Sequence, residues 1–251
     1  SVLPKDITPF NIDLLILKPS ELTGVPRVEV LDIFEGGSKN FHPQGLFSTQ
    51  SFGRMGEPKR ARFFGYIELN TQVFHPLVFK TLCDLKALYK GIMAGTDYAV
   101  FDDSLGDFVK ADPISGKTGF GFFMKRYEQM RLDTRNKTKR TSAVQFVAKY
   151  SSKDSLMKQL LVLPAAYRDY TVDESGKPSE DKVNNLYRSV LASANILAGS
   201  TQAVNPEFTD SMRYSIQSKI LEIYQYFMEM FDGKNKFVMA SFAARMVYDS
   251  T

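Results

Sequence analysis

Residues 65–82, GYIELNTQVFHPLVFKTL, hold a strand signal and a helix signal back to back. Tyr66, Ile67, Glu68 and Leu69 form a β-favouring run. Phe74, Leu77, Val78 and Leu82 then recur at helical spacing. Pro76 falls where a fixed φ and a missing N–H suit the first turn of a helix, so a helix is expected to open there. Glu68 is the one ionisable side chain in the strand-like run, which leaves it facing solvent or paired to something specific. His75, between Phe74 and Pro76, reads as a hydrogen-bonded structural histidine rather than a catalyst.

Outward from this stretch the chain alternates short strands with helices. Residues 1–44 hold five of the eleven prolines and read as short strands, a short helix and turns. Ser48–Arg62 is polar and basic (Arg54, Lys59, Arg60, Arg62), with Gly53, Gly56 and Pro58, and is expected to be a loop. The helix opened at Pro76 is expected to run to about Gly91. Tyr98–Phe101 predicts a strand leading into an acidic turn, and Phe120–Leu132 an amphipathic helix. Arg135–Arg140 is a basic run, expected on a loop between helices; such runs are more often solvated than bound to nucleic acid or a neighbouring subunit. A helix is expected from Asp154 to about Leu161, stopped by Pro164. Thr171–Asp181 is too polar for a core. Lys182–Ala198 predicts a helix with Val183, Leu186, Val190, Ala194 and Leu197 on one face, capped by Ser179 or Asp181. Glu207–Phe231 is the longest helical pattern, striped by Phe208, Met212, Ile216, Ile220, Ile223, Phe227 and Met230. Two long helices joined by the tip Gly199–Pro206 predict an antiparallel hairpin.

A length of 251 residues allows one or two domains, and 43% hydrophobic residues suffice for a core. With Phe 20, Tyr 12 and no Trp, that core should be rich in phenyl and phenol rings. The net charge of +4 tolerates nucleic acid without demanding it. No apolar run approaches a bilayer span and the first thirty residues lack a signal-peptide pattern, so a cytosolic protein is expected. The single cysteine, Cys83, excludes an intrachain disulfide and a thiolate zinc cluster, and its neighbours Leu82 and Leu85 suggest a buried structural thiol.

Catalysis needs titratable groups that converge, and only two histidines, His42 and His75, exist. Neither has a nearby nucleophile with an acidic orienter. Asp97, Asp102, Asp103 and Asp107 are too loosely spaced to argue for a metal and read as solvated turn residues. Gly116-Lys117-Thr118 suggests a phosphate loop, but Asp112 stands where the first glycine would be and no buried strand precedes it. No catalytic residue and no metal ligand is assigned.

Several stretches resemble, in order, the largest subunit of multisubunit DNA-directed RNA polymerases, called β′ in bacteria. Gly65, Ile67, Glu68, Leu69, Val73, Phe74 and His75 match its Gly-His-Ile-Glu-Leu segment and the hydrophobic-His pair that follows. Leu17–Ser20 and Val28–Val30 are similar to its opening, and Gly45-Leu46-Phe47 with Phe52-Gly53 to its Gly-Leu-Phe…Phe-Gly. Leu161–Arg168 resembles "VLP…PDLRP" and Asn184–Val190 the "LNDLYRRVI" start of the clamp helices. Gly233–Phe237 with Arg245–Tyr248 resembles the switch region. These are six collinear patches across nearly the whole chain.

The resemblance implies an α+β, clamp-like fold: a clamp core over 1–180 with a zinc-free loop at 48–62, a clamp-helix hairpin over 181–231, and a switch-like segment over 232–251 leading to a catalytic domain absent from this chain. It implies template contact by Lys234, Lys236 and Arg245. It also implies contact with a sigma-like or dedicated initiation factor through Arg188, Asn195 and Arg213. The family's arginines on the first clamp helix correspond here to Ser193 and Ile196, which disfavours an ordinary sigma factor. The family's Asn-Ala-Asp-Phe-Asp-Gly-Asp signature, which holds magnesium for nucleotidyl transfer, does not occur. Magnesium is therefore expected in a partner portion, with no cofactor in this chain. A natural split subunit or a fragment is expected, phage-encoded and working in the host cytoplasm or packaged in a virion. Its partners would be other polymerase subunits, template DNA and the RNA–DNA hybrid. The alternative is a clamp mimic that binds and inhibits a host polymerase.

Overall fold

A computed structural model describes residues 14, 16–200 and 205–229. Among them the elements are α1 (Thr49–Phe52), β1 (Gly65–Phe74), α2 (Pro76–Leu85), α3 (Ala87–Ala94), β2 (Tyr98–Asp102), β3 (Asp107–Ala111) and α4 (Phe120–Tyr127). Then follow α5 (Thr138–Lys149), β4 (Leu156–Val162), β5 (Thr171–Val172), β6 (Pro178–Ser179), α6 (Val183–Gly199) and α7 (Pro206–Glu229). The class is α+β, with three two-stranded sheets among the described residues, β1–β4, β2–β3 and β5–β6. The described chain divides into two compact units: unit one takes residues 14, 16, 72–157, 200 and 205–229, and unit two takes 17–71 and 158–199.

Unit one is built around aromatic rings. Phe74, Phe108, Phe120, Phe123, Tyr89 and Tyr127 are all buried in one cluster with Leu77, Val78, Leu82 and Ile92. Phe74 meets Tyr127 edge-on at 4.7 Å and Phe108 stacks on Phe123 at 5.0 Å, geometries that suit the ring quadrupoles. The helix expected over 76–91 is two helices. Lys86 is extended between them (φ −157°), and its ammonium is tied to Asp107 at 3.0 Å and to the Phe108 carbonyl at 2.6 Å. Gly91 has to be glycine, since a Cβ there would lie 1.8 Å from the Asp97 carboxylate. The helix expected to reach Leu132 stops at Tyr127, beyond which the Arg131 N–H donates to the Gly106 carbonyl at 2.8 Å.

β2 and β3 form an antiparallel hairpin with Val100 opposite Val109 and Phe101 opposite Phe108. α5 begins at Thr138, inside the basic run expected to be loop. α7 lies against α2, α3 and α4. Its Ile216, Ile220, Ile223 and Phe227 are buried as the stripe requires, whereas Phe208 is exposed. Gln217 ties α7 to Phe74, accepting from the Phe74 N–H at 2.7 Å and donating to the Phe74 carbonyl at 3.0 Å.

Two further expectations are corrected. Residues 156–162, expected as helix, are strand β4 paired with β1. Leu156, Gln159, Leu160 and Val162 are buried while Lys158 is exposed, so burial does not follow a strict alternation, and it is pairing with β1 that prevails over helical propensity. The 48–62 stretch, in unit two, is not a bare loop. It holds α1, capped by Ser48 Oγ accepting from the Ser51 N–H, and a 3₁₀ turn over Pro58–Ala61. Segment 17–44 has little regular structure: a 3₁₀ turn over Pro19–Leu22 and a bridge of Arg27 to Tyr66. Phe34, Phe41, Phe47 and Tyr170 pack as a second ring cluster. β1 alternates as expected, with Gly65, Ile67 and Leu69 buried, until Asn70 takes a left-handed φ of 57°. Glu68 is paired, accepting from Gln159 Nε2 at 3.1 Å. No helix among the described residues is long and apolar enough to cross a membrane.

Candidate functional site

Pro164 ends β4's extended run, and a 3₁₀ turn over Ala165–Tyr167 then directs Arg168 into unit two, where it is 1% exposed. Its Nε donates to the Leu163 carbonyl at 2.9 Å and its Nη1 to Asn184 Oδ1 at 3.1 Å, while Asn184 Nδ2 donates back to the Arg168 carbonyl at 2.7 Å. The guanidinium carbon lies 4.9 Å from the ring centre of Phe52, 5.7 Å from Phe47 and 5.9 Å from Tyr187. Ring faces supply the negative potential that a carboxylate would otherwise provide. Burial pulls the Arg168 pKa down to about 10 and pushes the Tyr187 hydroxyl up to about 12. Gly65 belongs to the same knot, because a Cβ there would stand 2.9 Å from the Phe52 ring. Four of the patches that resemble the polymerase subunit, 45–53, 65–69, 161–168 and 184–190, thus meet around one side chain.

A second buried arginine flanks it. Arg60 is 1% exposed and spans Asp169 and the backbone carbonyl of Gly53, the latter at 2.6 Å. By sequence alone Arg60 is one more cation of a basic loop.

The three residues assigned to an initiation factor are placed as follows. Arg188 and Asn195 lie on α6, seven residues and about two turns apart, so they share a face. Arg188 is engaged with Glu180, both carboxylate oxygens being within contact, and with Asn185 Oδ1 at 2.7 Å. Asn195 is exposed and donates to the Glu29 carbonyl at 3.0 Å. Arg213 belongs to unit one. It donates to the Gln72 carbonyl at 2.6 Å, lies 4.6 Å from the Phe120 ring centre, and has its pKa lowered to about 10 by burial. Of the two positions where the family carries arginine, Ser193 is buried and Ile196 is 44% exposed, so only the second alters the surface of α6. Lys234, Lys236 and Arg245 lie outside the described residues.

The remaining candidates are structural. His75 is buried and caps α2, its Nδ1 accepting from the Leu77 N–H at 3.1 Å. Asp107 accepts from the Tyr89 hydroxyl at 2.6 Å, and Asp102 closes its turn by accepting from the N–H of Ser104. The Lys117 N–H and carbonyl are both bonded to Ala99, which leaves no cradle of free amides for a phosphate. Among the described residues no cluster of three or more His, Cys, Asp or Glu is placed to hold a metal ion. No family model matches the chain, and no curated protein matches it.

Proposed function

We propose that this chain is the non-catalytic, clamp-bearing N-terminal part of the largest subunit of a DNA-directed RNA polymerase. It holds template DNA and the RNA–DNA hybrid for a catalytic portion, on the same polypeptide or on a partner, that supplies the magnesium-binding aspartates. The observation that supports this most is the convergence on Arg168. Stretches that resemble one family, and that lie far apart in sequence, contribute Phe47, Phe52, Gly65, Leu163, Asn184 and Tyr187 to a single buried knot.

In this reading the exposed end of α6, with Asn195 and Ile196, receives a dedicated initiation factor. Lys234, Lys236 and Arg245 attract the template backbone without reading bases. The protein works in the cytoplasm of the cell that transcribes its template. The test is affinity purification of the tagged chain from cells that produce it naturally, with mass spectrometry of what accompanies it. The Asn-Ala-Asp-Phe-Asp-Gly-Asp signature is expected in what is recovered, on a stoichiometric partner or further along the same polypeptide. Recovery with an intact host polymerase alone would favour a clamp-mimicking inhibitor, and recovery of the chain alone would count against both.

A further inference from the structure

We propose that Arg135, Lys137 and Lys139 form a surface in unit one that binds the phosphodiester backbone of duplex DNA, independently of the polymerase reading. Residues 131–140 carry five cations against one carboxylate, a net charge of +4 that equals the net charge of the whole 251-residue chain. The other residues therefore balance to neutrality, and the chain's entire excess charge is concentrated in ten positions.

The structure leaves the three named cations unspent. All are exposed, and among the described residues no carboxylate lies in ion-pair contact with any of them. Arg140 behaves differently: its Nε donates to the Asp133 carbonyl at 2.6 Å and its Nη1 to the Leu85 carbonyl at 3.3 Å, so it anchors the turn instead of facing outward. Arg131 is likewise bound to the Asp103 and Ser104 carbonyls. The one carboxylate of the segment, Asp133, accepts from the Arg135 N–H at 2.9 Å and helps hold Arg135 and Asn136 at left-handed φ values of 51° and 52°.

The charges are also placed against local preference. Lys137 is the N-cap of α5 and Lys139 is in its first turn, with no acidic residue there, so cations crowd the positive end of the helix. A bound phosphate would relieve that repulsion. The segment has no aromatic side chain on which a base could stack, which favours backbone contact with a duplex over single-strand binding.

The test is fluorescence anisotropy of the full chain with a labelled duplex of about 20 base pairs, at salt from about 50 to 200 mM. The Arg135→Ala/Lys137→Ala/Lys139→Ala variant should flatten the log–log salt slope by about 2–3 units and weaken binding at 0.1 M salt by roughly two orders of magnitude. A control that removes three exposed cations of unit two, Lys158→Ala/Lys177→Ala/Lys182→Ala, has the same net charge and should keep most of the affinity. Duplexes of unrelated sequence should bind alike, and each single alanine should remove about one unit of slope, which keeps the test valid if the triple variant melts early. Equal weakening in the two triple variants, or no binding by the natural chain, would overturn the proposal. Competition by polyglutamate as effective as by DNA at equal charge would assign the surface to an acidic protein instead, and would overturn it too.

Discussion

Arg60 and Asp169, 109 residues apart in the chain, are joined by two hydrogen bonds of 2.8 Å, Nε to Oδ2 and Nη2 to Oδ1. The pair fastens the 48–62 stretch to the segment after β4, with the arginine wholly buried. Removing one partner of such a pair strands the other charge, at a cost of about 3 kcal/mol or more. Asp169→Ala should lower the free energy of unfolding in urea by that amount. Replacing both residues, Arg60→Met with Asp169→Leu, should recover much of it. A change under about 0.5 kcal/mol for Asp169→Ala, the range of ordinary surface substitutions, would show that the pair does not hold this stretch.

Arg168 cannot be exchanged for lysine. A planar guanidinium lies against three rings while spanning the Leu163 carbonyl and Asn184 Oδ1, and an ammonium has neither the plane nor the fork. Arg168→Lys should cost about 2 kcal/mol in the same assay, with Asn184 and the Leu163 carbonyl left under-bonded. Unchanged stability would mean that the four patches do not depend on this side chain.

Gln217 mimics a strand neighbour at the end of β1 by bonding both backbone groups of Phe74. Gln217→Leu keeps the volume but orphans a buried N–H and a buried carbonyl, for about 2–4 kcal/mol. Amide exchange at Phe74 should accelerate in parallel. An unprotected Phe74 amide in the natural chain would contradict the assignment.

Burial pushes the Cys83 thiol from its ordinary value near 9 up to about 11, Asp84 adding to the shift and Lys90 and Lys80 opposing it. A raised thiol pKa means that the folded chain favours the neutral form. Its contribution is therefore complete below about pH 9 and is lost as pH rises to about 11. The stability difference between the natural chain and Cys83→Ala should shrink across that window. At pH 8 the folded chain should carry on the order of 100-fold less thiolate than the unfolded chain, and iodoacetamide should react correspondingly slowly. Equal alkylation rates in buffer and in urea would refute the burial.

Much of this fold is legible where local chemistry and tertiary context agree. Pro76 opening a helix, the alternation of Ile67 and Leu69, and the buried Ile216–Phe227 stripe follow from periods of two and of 3.6 residues. The errors fall where a distant partner decides. Leu156–Val162 is a strand because β1 lies beside it, and α2 stops at Leu85 because Lys86 reaches Asp107 and Phe108. Arg60 and Arg168 stay hidden for the same reason: a buried arginine looks like any other until its rings and carboxylate are assembled around it. Arg188, assigned by resemblance to an initiation factor, engages Glu180, eight residues before it, as well as its helix neighbour Asn185 at i−3.

A polymerase clamp must keep template in place, and that can be measured. The catalytic partner would be loaded on immobilised template with and without this chain, allowed to start RNA synthesis, and challenged with rising salt. With the chain present, template should be retained to distinctly higher salt. A Lys234→Ala/Lys236→Ala/Arg245→Ala variant should flatten the salt dependence by about one unit for each phosphate that is no longer neutralised. Identical template release with and without the chain, or a fall in the activity of an unrelated intact polymerase when the chain is added, would contradict a clamp.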